Sequence, residues 1–330
     1  MQTPPRIVPP RIVIAGSGAL GSALGGTLAA HGADVWLITR NAAHRRAITD
    51  QGLTLVAPDD ELVVRPNIAE SGQAIGGAPA DLIIILCKSA DTANAARDAL
   101  ACAGPETLVV SLQNGLGQEA ILTDIFGVER VIGGKTYAGG VMLAPGRGLA
   151  TVAGKRTLIG ELGGGLSPRC QAMARQLQAH GVPCEASANL AGVIWDKLLV
   201  NVATGALTAL TRMTYGEIYA DSDLAQSAFA AVAEAMAVAQ AKGIALSIRT
   251  PQEAWAMAGA NLPDSFRTSM LQTLEMGRRS EIDFINGAVV REGERLGIAT
   301  PVNRLLVACI HGVENSAAFT AIDCPSGKRP

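Results

Sequence analysis

Aromatic side chains are scarce: three Trp, three Tyr and five Phe make up only 3% of the 330 residues. That is too few for the stacking platforms of a single-strand nucleic-acid binder. Excess positive charge is missing as well. Lys and Arg number 27 against 29 Asp and Glu, a formal net charge of −2, and no basic block stands out. The electrostatic footprint of a nucleic-acid partner is therefore absent. Cys87, Cys102, Cys170, Cys184, Cys309 and Cys324 lie far apart with no C-x-x-C pair. This excludes a zinc-ribbon pattern and a dense disulfide framework, and a reducing cytoplasm is the expected location. His31, His44, His180 and His311 form no H-x-x-x-H pair, so no metal site is expected. No G-x-S-x-G nucleophile elbow occurs either. The longest uncharged apolar runs, residues 82–87 among them, are far short of the roughly 18–20 residues of a membrane span, and no membrane association is expected. The stretch 1–10 is proline-rich without an apolar h-region, unlike a secretory signal. Pro-Pro-Arg-Ile-Val occurs twice, at 4–8 and 9–13, and only the second copy runs into a plausible strand. Residues 1–10 are expected to be a disordered leader.

What remains is a chain rich in small apolar residues. Hydrophobic residues are 48%, charged residues 17% and the mean hydropathy is +0.27, which excludes intrinsic disorder as the main state. At roughly 150 residues per domain the length predicts two domains. The first half alternates β-branched runs, at 11–15, 34–39, 81–86, 107–111 and 130–133, with helical stretches at 19–31, 91–101 and 117–126. That alternation predicts βαβ crossovers and a mainly parallel sheet. Extended pieces at 136–143, 148–152 and 156–160 read as a hairpin-like appendage near the sheet edge. After residues 183–187 the texture is alanine-rich and helical in period, at 188–210, 224–242, 251–258, 281–296 and 302–315. Hence two domains are expected, 11–187 of α/β type and 188–330 all-helical, with ligands bound where the two meet.

The segment Gly16-Ser17-Gly18-Ala19-Leu20-Gly21 fits G-x-G-x-x-G, and it directly follows a strand and opens a helix. Glycines then serve the tight turn, the backbone approach to a pyrophosphate and the helix–strand packing, with phosphates on the helix N-terminus. An NAD binder usually carries Asp or Glu at the end of the second strand, roughly 20 residues on. Here that strand ends Thr39-Arg40-Asn41, with Arg45 and Arg46 behind, and Asp34 sits at its other end. Arg40 suits a 2′-phosphate, so NADPH/NADP+ is the expected cofactor; the alternative for Arg40 is a solvated loop residue.

Further along, Lys88 closes an apolar strand, and Asn114-Gly115 follows the next one, where Asn-Gly is also an ordinary turn pair. Lys197 and Asn201 are four apart on an otherwise apolar helix, a face that Gly205 and Thr208 extend. A desolvated lysine there loses part of its basicity and becomes a better proton donor. A surface lysine beside an amide is the plainer reading. Ser280-x-x-Asp283 has the spacing of a capping box with Glu281 in the first helical turn. Ser269 reads equally as a plain helix residue.

Together the glycine turn, Leu86-Cys87-Lys88, Leu112-Gln113-Asn114-Gly115, Trp195-Asp196-Lys197-Leu198-Leu199-Val200-Asn201, Arg279-Ser280-Glu281-Ile282-Asp283 and Asn286-Gly287 resemble the ketopantoate reductase family in the same order along nearly the whole chain. The resemblance implies a Rossmann domain joined to a helical domain like that of 6-phosphogluconate dehydrogenase. It implies NADPH-dependent reduction of a small 2-oxo acid, ketopantoate to pantoate in the best-known case, on the route to pantothenate and coenzyme A. By motif, Lys197 matches the catalytic lysine, Asn201 a substrate-binding asparagine and Ser269 the serine near the substrate carboxylate. Lys88, Asn114 and a backbone contact at Ala138 match cofactor-lining positions, with Asn114 also at the substrate junction. Glu281 matches a glutamate by the cofactor and the substrate. Some members carry Asn at the positions of Gly205 and Tyr215, where it holds the substrate's hydroxyl end; this departure leaves a different 2-oxo acid open. A dinucleotide-binding sensor without catalysis is the third reading. The alanine-rich helices are compatible with a homodimer.

Overall fold

The computed structural model describes residues 9–57, 60–260 and 262–316; the expected leader falls, but for its last two residues, outside them. By contacts the chain divides into two compact units. One runs up to Gln113 and from Gln118 to Leu190; the other comprises Asn114–Gly117 and the chain from Ala191 onward.

The first unit begins with β1 (Arg11–Ala15), α1 (Ala19–Ala30), β2 (Asp34–Ile38) and α2 (Ala42–Gln51). Then come β3 (Leu53–Ala57), β4 (Asp60–Val64), β5 (Asn67–Ala69), β6 (Leu82–Ile85), α3 (Thr92–Ala99), β7 (Leu108–Ser111) and α4 (Gln118–Phe126). It finishes with β8 (Val131–Thr136), β9 (Gly139–Ala144), β10 (Arg147–Thr151), β11 (Thr157–Gly160), α5 (Pro168–Ala179) and β12 (Cys184–Ala186). Eight strands form one sheet in the order β12-β11-β8-β7-β6-β1-β2-β5. From β5 to β8 every neighbour is parallel, and β11 turns antiparallel to β8. Along β1, Ile12 and Ile14 enter one apolar cluster while Val13 and Ala15 enter another. Both faces are thus covered, which is why these strands read as unbroken apolar runs. Strand order reverses between β1 and β6, and a doubly wound sheet binds its ligand outside the carboxyl ends at such a point.

The expected edge appendage takes a different form. β9 and β10 do make a hairpin, but it joins a second sheet, β4-β3-β10-β9, and lies on α1, where a Cβ at Gly140 would stand 2.5 Å from Ala19 O. β11 instead extends the main sheet.

The second unit is helical: α6 (Leu190–Thr211), α7 (Tyr215–Ala220), α8 (Ser222–Ala241), α9 (Pro251–Gly259), α10 (Ser269–Glu275), α11 (Asn286–Leu296) and α12 (Pro301–Glu314). α6 and α8 are long and apolar enough to cross a membrane by length and composition. In α6 that character belongs to the core, with Leu199, Val202, Ala203 and Ala206 fully buried. Burying each larger side chain contributes roughly 1.5–3 kcal/mol. The capping box at Ser280 does not form. Ser280 N and Oγ both donate to Glu314 Oε1, at 2.8 and 2.7 Å, and Asp283 pairs with His311 at 3.0 Å. A short 3-10 turn, Ile282–Phe284, replaces the expected helix start, and α11 begins only at Asn286.

Candidate functional site

The glycine turn sits at the carboxyl end of β1. Gly16 N and Ser17 N both donate to Ile38 O at 3.2 Å, binding the turn to the end of β2. Gly16 has φ +107°, and a Cβ there would lie 2.4 Å from Cys87 N; no side chain fits between β1 and β6. A Cβ on Gly21 would stand 2.1 Å from Gly16 O, whereas one on Gly18 would meet nothing within 4 Å. Gly18 caps α1 without any side-chain hydrogen bond, and no acidic residue occupies the first turn, which starts at Ala19 and Leu20. Ser17 is 3% exposed, and its Oγ has no hydrogen-bond partner among the described residues. An uncapped helix start, an open face at Gly18 and an orphaned hydroxyl fit the pyrophosphate of a nicotinamide dinucleotide.

Arg40, Lys88 and Ala138, also expected to line a cofactor, belong to the same unit. Arg40 lies just past β2, exposed, with its guanidinium 3.7 Å from Asp91 Oδ1. Lys88 follows β6 and opens the 3-10 turn Ser89–Asp91, its carbonyl accepting from Asp91 N at 2.8 Å. Ala138 lies between β8 and β9, where its N–H donates to Thr136 Oγ1 at 3.1 Å. A cavity of about 490 Å³ in this unit is lined by Trp36, Arg45, Arg46, Asp50 and Glu70 and contains none of these residues.

A buried polar network centred on Gln113 ties the carboxyl ends of β6 and β7 together. Gln113 Nε2 donates to Cys87 O at 2.8 Å and to Thr92 Oγ1 at 2.9 Å, and its Oε1 accepts from Ser111 Oγ at 3.0 Å. Lys135, 2% exposed at the end of β8, donates to Gln113 O at 2.9 Å. Burial pushes the neighbouring Glu119 carboxyl up, against the opposing pull of Lys135. The run that predicts this strand ends at residue 133, two positions short of Lys135, so the pattern gives no sign of it.

In the helical unit, Asn114 belongs to a segment held against the turn that Glu281 opens. Leu116 N donates to Phe284 O at 2.9 Å, and Gly115, at φ +89°, would place a Cβ 2.2 Å from that same oxygen. The segment that holds Asn114 thus packs on the turn that follows the half-buried Glu281, although the two are far apart in the chain.

Of the face expected on α6, Gly205 and Thr208 are buried. Lys197 and Asn201 are partly exposed on a helix whose remaining faces are core. Burial lowers the pKa of the Lys197 ammonium below the usual lysine value. The adjacent Asp196 anchors this turn: its carboxylate accepts from Ser247 Oγ at 2.6 Å, Ser247 N at 3.1 Å and Ile248 N at 3.2 Å. Further along α6, Thr208 Oγ1 meets Thr268 Oγ1 at 2.7 Å, and Thr268 caps α10. Ser269, the first residue of α10, is exposed. Gly205 faces the next residue, Met270, whose Cε would lie 3.6 Å from an added Cβ.

Tyr215 differs from a residue turned into an open pocket. It is buried, with its hydroxyl 3.1 Å from Thr204 Oγ1 and its ring packed on Phe266 and Tyr219 at centroid distances of 4.9 and 5.6 Å. Together with Tyr219, Gly259, Leu262 and Asp264 it lines a cavity of about 290 Å³. No group of three or more His, Cys, Asp or Glu able to hold a metal occurs among the described residues.

A doubly wound sheet with a G-x-G-x-x-G turn, followed by a helical unit carrying a half-buried lysine, defines a dinucleotide-dependent oxidoreductase. Residues 12–164 match the model of the ketopantoate reductase PanE/ApbA family, and residues 189–314 match that of its C-terminal domain. The 2-dehydropantoate 2-reductase of Halobacterium salinarum is 34% identical over 297 residues, 90% of this chain and 96% of its own. The structure of a PanE/ApbA family ketopantoate reductase from Ralstonia eutropha superposes with a TM-score of 0.84 at 32% identity, covering 92% of this chain and 98% of that one. D-mandelate dehydrogenase in complex with NADH and anilino(oxo)acetate superposes with a TM-score of 0.85 at 26% identity, covering 95% and 100%. The chain belongs to the ketopantoate reductase family, and it is an oxidoreductase acting on CH–OH groups with a nicotinamide cofactor.

Proposed function

We propose that this chain reduces ketopantoate (2-dehydropantoate) to pantoate with NADPH, in the cytoplasm, on the route to pantothenate and coenzyme A. The observation that carries the reading is Lys197 beside Asn201 on one face of α6, its ammonium made more acidic by burial and its turn fixed by Asp196.

The glycine turn holds the pyrophosphate, Arg40 meets the 2′-phosphate, and Lys88, Asn114, Glu281 and the backbone at Ala138 line the remainder of the cofactor. When bound, the reduced nicotinamide supplies the hydride that converts the ketone carbon to an alkoxide. Lys197 donates a hydrogen bond to the ketone oxygen and delivers its proton there as negative charge develops. Asn201 and Ser269 orient the acid by donating to its oxygens. The proton comes from Lys197 Nζ and ends on the product hydroxyl, and solvent reprotonates the amine.

A second reading keeps this chemistry and changes the acid. Gly205 and Tyr215 stand where some members carry Asn. Gly205 adds no polar group and the Tyr215 hydroxyl is taken up by Thr204 at 3.1 Å, so neither offers an amide to a hydroxylated substituent, which favours an apolar one. Catalytic efficiencies over a 2-oxo acid series with NADPH separate the two: ketopantoate leads under the first reading, and an aryl or branched apolar acid leads under the second. Tight NADPH binding without turnover of any member would point to the non-catalytic sensor instead.

A further inference from the structure

His44 lies in the first turn of α2, and the chemistry above makes no use of it. It is 2% exposed and both ring nitrogens are engaged. Gly146, in the turn between β9 and β10, donates its N–H to Nδ1 at 2.9 Å. Nδ1 is therefore the acceptor, and the single proton of the neutral ring sits on Nε2. Nε2 donates to Ser22 Oγ at 3.1 Å, and Ser22 Oγ donates to the carbonyl of Ser17 at 3.1 Å. Ser22 is 1% exposed on α1. Burial favours the neutral imidazole by lowering its pKa, and the neutral ring is the form this arrangement requires. A relay of three hydrogen bonds thus ends on the second residue of the glycine turn.

In a planar trans peptide the carbonyl and the following N–H point in opposite directions. Fixing the Ser17 carbonyl toward Ser22 therefore aims the Gly18 N–H the other way. Gly18 is the residue whose side-chain direction is open for 4 Å, and Ser17 Oγ beside it is the orphaned hydroxyl.

We propose that His44 and Ser22 are positioning residues for the dinucleotide. Through the Ser17 carbonyl they lock the Ser17–Gly18 peptide plane so that its N–H meets the pyrophosphate. The hairpin turn at Gly146 is the far anchor of the same relay, which gives the second sheet a part in cofactor binding. The inference rests on the nicotinamide-dinucleotide reading of the glycine turn.

Calorimetric titration of NADPH into the full-length protein and its Ser22→Ala, His44→Ala and double variants, with a thermal melt of each, tests it. Ser22→Ala is expected to bind NADPH about five- to tenfold more weakly, the effect of one lost hydrogen bond, and to melt a few degrees lower because the buried Nε2–H of His44 loses its acceptor. In turnover its KM for NADPH should rise while kcat at saturation stays constant. His44→Ala also frees the Gly146 N–H and should melt lower. The double variant should bind no more weakly than His44→Ala, because both substitutions cut one relay. His44→Gln, whose amide can still donate to Ser22, should recover part of the affinity. Ser22→Ala binding within twofold of the unmodified protein, or losses that add in the double variant, would overturn the relay. Failure of the unmodified protein to bind NADPH or NADH overturns the dinucleotide reading, and the relay's role with it.

Discussion

Gly18 and Gly21 lie three residues apart in one turn, yet alanine at each has opposite consequences. A Cβ on Gly18, at φ −72° in extended backbone, meets nothing within 4 Å. Losing glycine at a helix cap costs about 0.5–1 kcal/mol, offset by about 0.4–1 kcal/mol from the stiffer unfolded chain. Gly18→Ala should therefore melt within about 2 °C of the unmodified protein. The open face it fills is the one assigned to the pyrophosphate, so NADPH affinity should fall at least tenfold. A Cβ on Gly21 would stand 2.1 Å from Gly16 O, well over 1 Å inside ordinary contact and against backbone that no rotamer change can move. Overpacking of this kind costs about 1–3 kcal/mol or more, or roughly 2–12 °C at the 2–4 °C per kcal/mol typical of a domain this size. Paired thermal melts and NADPH titrations read both quantities. Gly18→Ala binding NADPH as tightly as the unmodified protein would refute the placement of the phosphates, and an unchanged melting temperature for Gly21→Ala would refute the packing.

Arg40→Ala should raise the KM for NADPH about 10- to 100-fold, the range for a lost charge-assisted bond, while the KM for NADH barely moves. Asp91→Asn, which removes the acid facing Arg40 at 3.7 Å, should shift preference further toward NADPH. Lys197 has a lowered folded-state pKa, so between that value and the normal one the unfolded chain binds more protons and stability rises with pH. Below it the buried charge is a net cost; Lys197→Met should thus melt higher at neutral pH while losing activity, and in the unmodified enzyme kcat should fall as pH rises through the same lowered pKa. Glu161, held down to about 2 chiefly by its hydrogen bond to Arg169 and also by Ser167 and Cys170, contributes stability above the ordinary carboxylate range that is lost as pH falls toward about 2. Glu161→Gln should melt lower at pH 7, with the gap closing in strong acid.

The sequence exposes most readily whatever depends on periodicity and near neighbours. β1, β2, β6 and β7 are legible because burial on both faces demands unbroken apolar runs such as Leu82–Ile85. β4 escapes notice because Asp60, Glu61, Leu62 and Val63 are all exposed and carry no alternation, and its pairing with β3, and that of β3 with β10, is set by the fold. The spacing of four puts Lys197 and Asn201 on one face of α6, but it reads equally as a surface lysine beside an amide, and the motif around them is what singles them out. Asp196 and Gln113 stand within short motifs and His44 within none, but nothing local tells what any of them bonds to. Their partners lie 51, 26 and 102 positions away, and no local pattern encodes such pairings. Glu281 reads as part of a helix start because Ser280 and Asp283 have capping-box spacing, yet Glu314, 34 positions downstream, takes both Ser280 donors instead.

Oxidation of NADPH by the purified protein, with ketopantoate and with an aryl 2-oxo acid, measured beside Lys197→Ala, decides whether Lys197 is the proton donor of a 2-oxo acid reduction. The expected result is saturable turnover with NADPH that drops about 10²- to 10⁴-fold in the variant, the usual worth of a positioned proton donor, while NADPH binding is retained. Turnover that survives in Lys197→Ala would contradict it.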